Sequence, residues 1–506
     1  MGRKVPMFYN ALLLTAVNLL LRLGSTSFQV FLSGRIGAAG VGLLQLVLSV
    51  GGMAITAGMA GIRTATMYLT AEELGKGRCD RVQSVLSACL GYSLLCSGTV
   101  AAALYGFAPK IAEIWIGNPQ TLGAIRLLAV FLPVNCLVGV MVGYFTAANR
   151  IGMLAAVEVA EQLCAMGVSA GALVFWAGED AGRACQSVVL GSCAGGVLTL
   201  VCLVCLRLRE RNGAGKRVPV RGKLLNIAVP LALADNLKVG INTVENLMVP
   251  KRLAMFTGAA LAQFGMVSGM VFPVVMFPAA ILFGLADLLI PEMARCNAAG
   301  SRGRIRYLAR RSLRVACIYG IFCGGILYLW GDGLCLRLYG SSEAGSFLRM
   351  YALLMPMLYC DLVVDAMNKG LGQQKICVRY NIFTALMDVA GLYFLLPRWG
   401  MTGYFVSFLL SHAVNAVLSL RLLMKAASLH LRLHVPAMAV AAFAFSLFFG
   451  EKAGNTGAKC LFFSVILGIC LYLGRILRRE DVKWLGQLVR GGNARQKNAK
   501  FLEKSV

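Results

Sequence analysis

Arg22 and Arg63 stand inside long apolar runs, at 8–33 and 41–69. A charged side chain at membrane depth costs roughly 2.5–3.5 kcal/mol on insertion scales, so it calls for a partner, a water-filled path or a charged ligand. Each arginine also falls on a polar stripe. Asn10, Asn18, Arg22, Ser25, Thr26 and Gln29 follow one another by one or two helical turns, and Gln45, Ser49, Gly52, Thr56 and Arg63 do the same. That spacing is the 3.6-residue period of one wet face on a lipid-compatible helix. A third stripe lies in the run 224–250, where Asp235, Lys238, Asn242 and Glu245 are spaced to share one face. Its chemistry reads two ways. Lys238 can offer a cation to an anionic ligand, or Asp235 and Lys238 can neutralise each other and, with Asn242, merely tie helices together.

Further acids lie in apolar runs: Glu158 and Glu161, Asp287, Asp361 and Asp365, and Asp388. Burial raises a carboxyl pKa toward neutrality, which suits proton coupling. Taken singly, each fits structural pairing as well, and Asp365 with Lys369 has the spacing of an ion pair one turn apart. Prolines at 133, 230, 273, 278 and 356 predict kinked helices. The pattern calls for no metal and no cofactor. The 17 cysteines are scattered, and the single close pair, Cys202 and Cys205, has no second pair at zinc spacing, so packing is its expected role. His430 and His434 lack a third ligand. The stretch GAGK at 213–216 lacks the upstream glycine and the Ser/Thr of a phosphate-binding loop. No nucleophile–base pair stands in the short loops, so the expected activity is not enzymatic.

These side chains must be positioned by membrane helices. The 506 residues are 58% hydrophobic and only 14% charged, yet the net charge is +27; soluble domains are about 45–50% apolar. The positive charge reads as topology rather than as a nucleic-acid surface. By the criterion of about 20 mostly apolar residues, about fourteen spans are expected. With the N-terminus in the cytoplasm, the basic segment 207–223, the arginines 295, 302, 304, 306, 310 and 311 and the tail from 475 all fall inside. Both termini are then cytoplasmic, and the chain is a multi-pass protein of the cytoplasmic membrane.

The chain also repeats itself. YLTAEELGKGRCDRVQSVLS follows the second span and LLIPEMARCNAAGSRGRIRYLARRSL the eighth, each with a glutamate (Glu72, Glu292) before a basic helix start. LLAVFLPVNC from Leu127 and YALLMPMLYC from Tyr351 match at a similar shift. Six spans per repeat is even, so both halves enter from one side, as in parallel-repeat transporters. The expected organisation is an N-terminal lobe at 1–206, a basic linker at 207–223, a C-terminal lobe at 224–424, two extra spans at 425–477 and a basic tail at 478–506. The expected fold is all-α, with two six-helix lobes and two C-terminal helices.

The segments NALLLTAVNLLLRLGSTSFQVFLSGRIGAAGVGLLQLVLS, AGIRTATMYLTAEELGKG and INTVENLMVPKRL resemble the stage V sporulation protein B family. That family is part of the multidrug/oligosaccharidyl-lipid/polysaccharide (MOP) exporter superfamily, with the MviN/MurJ lipid II flippases and the MATE pumps. The resemblance runs from about residue 8 to about residue 480 and agrees with the span count and the repeat. It implies a central cavity lined by spans one, two, seven and eight, and export of a lipid-linked sugar such as a peptidoglycan precursor for spore cortex. It implies that cavity cations engage the substrate's pyrophosphate. Arg22 matches the family's first-span arginine and Glu245 a commonly acidic place, while Lys238 has no family counterpart.

Three functions are therefore carried forward. The first is a flippase for a polyprenyl-pyrophosphate-linked glycan, with Arg22, Lys238 and Arg63 as phosphate-binding cations and Asn18, Gln29, Gln45, Thr56 and Asn242 as polar lining. Asp235, Glu245, Glu158, Glu161, Asp361 and Asp365 would then couple transport to H+, Na+ or the membrane potential, or hold the fold. The second is a cation-coupled drug or metabolite antiporter relying on the acids. The third is a cell-wall synthesis scaffold or membrane glycosyltransferase, which should carry a sizeable loop with catalytic acids; none is visible.

Overall fold

The computed structural model describes residues 7–76, 78–178, 180–209, 221–428, 434–452 and 454–473. Most of the linker expected at 207–223, His430 and the tail from 475 fall outside these residues, as does the side chain of Asn18. Sixteen α-helices account for nearly all of the described chain: α1 (Met7–Met59), α2 (Ile62–Gly75), α3 (Cys79–Lys110), α4 (Leu122–Ala147), α5 (Ile151–Ala172), α6 (Ala181–Arg209), α7 (Arg221–Leu253), α8 (Ala260–Gly265), α9 (Phe272–Met276), α10 (Ala279–Ala298), α11 (Arg302–Tyr339), α12 (Ser342–Ala352), α13 (Met355–Gly370), α14 (Gln374–Ala427), α15 (His434–Glu451) and α16 (Thr456–Leu473). The described residues contain no strand.

Among the described residues, eight helices are long and apolar enough to cross a membrane, or ten if the two bent pairs, broken by 60° and 54°, each count as one span. The sequence expectation was about fourteen, and two of the four spans by which ten falls short have a physical origin at two glycines. The run Leu19–Gly75 holds 57 residues, which as one straight helix would extend about 85 Å against a hydrocarbon layer of about 30 Å. Gly37 interrupts it with φ 67° and ψ 175°. Gly400 interrupts α14 in the same way, with φ 56° and ψ −137°. Positive φ is open to glycine without steric cost, so each helix divides into the two spans that the hydropathy pattern separates. The segments Val440–Glu451 and Thr456–Tyr472 are apolar but shorter than a full span.

By their packing the helices form two units. One comprises 20–270 with 385–407, and the other 271–384 with 408–506 and the first residues. In this grouping α7 goes with α2 to α6 and most of α1. The reason lies in its first turns, where Leu224 and Ala228 are buried in one core with Ile62, Leu69, Val85, Phe145 and Leu203.

Within the second unit, α15 and α16 are held to α11 by a separate apolar core, in which Phe443, Leu447, Phe463 and Leu467 pack on Ile321. A charged knot closes its end. Arg349 of α12 donates to Asp332 of α11 at 3.2 Å and to Glu451 of α15 at 2.9 Å, and its guanidinium lies over the Tyr328 ring.

The duplicated motif has matching chemistry at its two glutamates. Glu72 pairs with Lys76 and, at 3.5 Å, with Lys223. Glu292 pairs with Arg304 at 2.6 Å and Arg295 at 3.5 Å. All of these groups are partly exposed, so each pair contributes at most about 1 kcal/mol.

Candidate functional site

The candidate cations of spans one, two and seven all lie in the unit formed by 20–270 with 385–407. Arg22 is half-buried on the first limb of α1, and its carbonyl accepts from Thr26 Oγ1 at 2.9 Å. One turn away, α5 docks on the same helix. Gln162 Nε2 donates to the Leu21 carbonyl at 2.8 Å and to Ser25 Oγ at 2.6 Å. Gln162 was not singled out from the sequence. The available signal was an amide beside two intramembrane acids, and it did not say which helix the amide would meet.

The stripes on the two limbs of α1 converge past the Gly37 break. A Cβ on Gly269 would stand 3.2 Å from Gln29 Nε2 and 3.6 Å from Gln45 Nε2. The bare glycine thus lets a π-helical turn at Met266–Val271 approach both amides. Gln29 Nε2 is buried there with no hydrogen-bond partner. Farther along, Ser49 is tied to α7: Asn246 donates to its hydroxyl at 2.9 Å and Thr243 to its carbonyl at 3.3 Å. Thr56 returns its hydroxyl to the Gly52 carbonyl at 2.8 Å. Part of the wet face is thereby consumed in holding α1 to α5 and α7.

Arg63 is exposed on α2, and its charge acts on Glu158 of α5. The structure separates the two acids of α5. Glu161 accepts a hydrogen bond from Thr199 of α6 at 2.8 Å, whereas Glu158 faces the charge of Arg63.

On α7, Asp235, Lys238 and Asn242 are exposed. Among the described residues Asp235 and Lys238 form no ion pair, with each other or elsewhere. The mutual neutralisation suggested by their spacing is not made: two side chains on one face can point apart, and each remains available to water. Three residues beyond Asn242, Glu245 turns inward. Its charge and that of Asp388 on α14 act on one another, and both act on the buried Tyr404 hydroxyl. Asp388 is almost fully buried and accepts a short hydrogen bond, 2.5 Å, from Ser407 Oγ.

Of the remaining acids, which lie in the other unit, Asp287 is exposed on α10 and two are engaged locally. Asp361 accepts from Asn415 Nδ2 at 2.9 Å, and Asp365 pairs with Lys369 one turn on. Among the described residues no group of three His, Cys, Asp or Glu side chains could hold a metal ion, and Cys202 and Cys205 are free thiols. Cations thus stand on three helices, α1, α2 and α7, of the unit formed by 20–270 with 385–407.

Comparison with known proteins bears on the fold. The MatE family model matches residues 15–170. The chain is 23% identical to stage V sporulation protein B of Bacillus subtilis (strain 168) over 407 residues, 78% of each protein. It is 22% identical to the sporulation protein YkvU of the same organism, over 52% of this chain and 61% of that one. Among solved structures, the lipid II flippase MurJ in an inward closed conformation superposes with a TM-score of 0.69 at 10% identity, covering 91% of this chain and 98% of that one. An inward-facing multidrug-resistance MATE transporter of the MOP superfamily gives 0.66 at 13% identity, covering 82% and 98%. At such identities the structural likeness speaks for the fold alone.

Proposed function

We propose that this chain, a stage V sporulation protein B-like member of the MOP exporter superfamily and hence a multi-pass membrane transporter, moves a lipid-linked oligosaccharide across the cytoplasmic membrane by alternating access. The substrate class is a polyprenyl-pyrophosphate-linked glycan, specifically a peptidoglycan precursor such as that of spore cortex. One observation carries this reading: cations stand on α1, α2 and α7 of one unit, and two of them, Arg63 and Lys238, are exposed. A pyrophosphate needs several positive groups, and charge-assisted hydrogen bonds to it are about twice as strong as neutral ones. The sugars need donors and acceptors, which Gln29, Gln45 and Asn242 supply.

Arg22, Lys238 and Arg63 are the assigned phosphate ligands, with Glu158 moderating Arg63. Glu245 and Asp388 are the assigned seat of a coupling proton or Na+, because the charge of each acts on the other and Asp388 is almost fully buried. Thr56, Glu161, Asp361 and Asp365 are assigned to holding the helices. Asp235, exposed and unpaired, borders the path on α7.

A second reading rests on the same acid pair. An antiporter for organic cations would use Glu245 and Asp388 to bind its substrate. The two readings part in a selectivity experiment on proteoliposomes. The flippase reading expects a polyprenyl pyrophosphate, but not a lipophilic organic cation, to compete for transport of a fluorescent lipid-linked glycan. Competition by the cation and none by the pyrophosphate would reject it in favour of the antiporter.

A further inference from the structure

The arginine-rich start of α11 has no part in the transport reading, and its members are used unequally. Arg304, together with Arg295 from the end of α10, is paired with Glu292. Arg311 is buried, with its guanidinium hydrogen-bonded to the Tyr307 hydroxyl. Arg314 is half-buried and also engaged, which leaves Arg302, Arg306 and Arg310, all exposed, with no side-chain hydrogen bond or ion pair among the described residues.

They are spaced by four residues. On a helix this turns each by about 40° from the last, so the three cover roughly 80° of the circumference and descend about 12 Å along the axis. That descent is about twice the depth of one interfacial layer, since the layers on the two sides together add only about 10–15 Å to the hydrocarbon core, so the strip runs through the headgroup layer and into its aqueous margin. Tyr307 is also exposed in this stretch, and amphipathic rings concentrate at the headgroup level. Beyond it, α11 continues as one of the eight spanning helices.

The geometry points to a docking strip for anionic phospholipid on the N-terminal turns of α11, with Arg302, Arg306 and Arg310 as the phosphate-binding groups. Charge complementarity selects the occupant. Three unpaired guanidiniums at headgroup depth match the phosphodiesters of an anionic leaflet, where each Arg near the surface adds to the attraction. The planar, permanently charged guanidinium also suits bidentate phosphate contact. No carboxylate among the described residues is bonded to any of the three, so a lipid phosphate would not have to displace an internal partner. This inference is independent of the transported substrate, and its test does not measure transport.

The experiment is native mass spectrometry of the full chain released from nanodiscs of equimolar phosphatidylcholine and phosphatidylglycerol, scoring the phosphatidylglycerol retained. Wild type should retain phosphatidylglycerol over phosphatidylcholine, and R302Q/R306Q/R310Q should lose that preference by about tenfold. R302K/R306K/R310K should keep most of it. A control, K110Q/R337Q/K459Q, removes the same charge from the other ends of α3, α11 and α16 and should leave the preference intact. Unchanged retention in the glutamine variant, or equal loss in the control, would overturn the assignment. Should the triple variant fail to fold, the three single variants carry the test, each with a two- to threefold loss expected and no loss refuting it.

Discussion

Lys238→Ala separates the transport role of α7 from its structural role. Lys238 is exposed and, among the described residues, makes no hydrogen bond or ion pair. Truncating it therefore breaks no native contact, and surface changes of that kind stay within about 0.5 kcal/mol of wild-type stability. Insertion and thermal unfolding in detergent should be unchanged. Transport should not be. A hydrogen bond to a charged group is worth about 1.5–3 kcal/mol, and every 1.4 kcal/mol is a factor of about ten. The half-saturating concentration of a polyprenyl-pyrophosphate glycan should therefore rise about 10- to 150-fold. Lys238→Arg keeps the charge and should recover most of the loss, whereas Lys238→Met should behave like alanine. The assay is transbilayer movement of a fluorescent lipid-linked glycan in proteoliposomes, read as probe accessible on the far leaflet. Wild-type half-saturation in Lys238→Ala, at equal reconstituted protein, would refute the reasoning. So would a loss that Lys238→Arg shares in full, since the charge would then not be the cause.

Two further outcomes follow from single contacts. Thr199→Val removes the donor to Glu161 while keeping the volume; the unfolding midpoint in detergent should fall by an amount equivalent to about 0.6–1.7 kcal/mol, as for polar contacts between membrane helices, with transport kept. Lost transport at an unchanged midpoint would move Glu161 from a structural to a functional role. Gly325→Val should loosen α16 from α11, because a Cβ there would stand 1.9 Å from the Phe463 ring, which is fully buried. Proteolysis between α15 and α16 in mixed micelles should accelerate, and an unchanged cleavage rate would show that the ring can shift at no cost.

Much of this was legible in the amino-acid order. Apolar runs located the helices, because a membrane span must bury its own backbone and so announces itself by length. The stripes set Arg22 and Gln29 on one face of the first limb of α1 and Gln45 on the second, because periodicity fixes a helix face, but they did not show that the Gln29 amide nitrogen would be buried. Partners were not legible, since periodicity says nothing of what a face meets. Glu158 and Glu161 looked equivalent, yet one faces Arg63 and the other Thr199. Asp235 and Lys238 had pairing geometry, yet do not pair. Gln162 bridging to Ser25, and Gly269 admitting a helix beside two amides, are contacts between segments far apart in the chain. Likewise, the repeat assigned α7 to the second half, while Leu224 and Ala228 pack into the core of the first.

The account stands most directly on Arg22. Reconstituted at equal density, wild-type protein should move a fluorescent polyprenyl-pyrophosphate-linked glycan to the far leaflet, Arg22→Ala should insert normally but move none above empty vesicles, and Arg22→Lys should fall between them. Full movement by Arg22→Ala, or no movement of any lipid-linked glycan by wild type, would contradict the central claim.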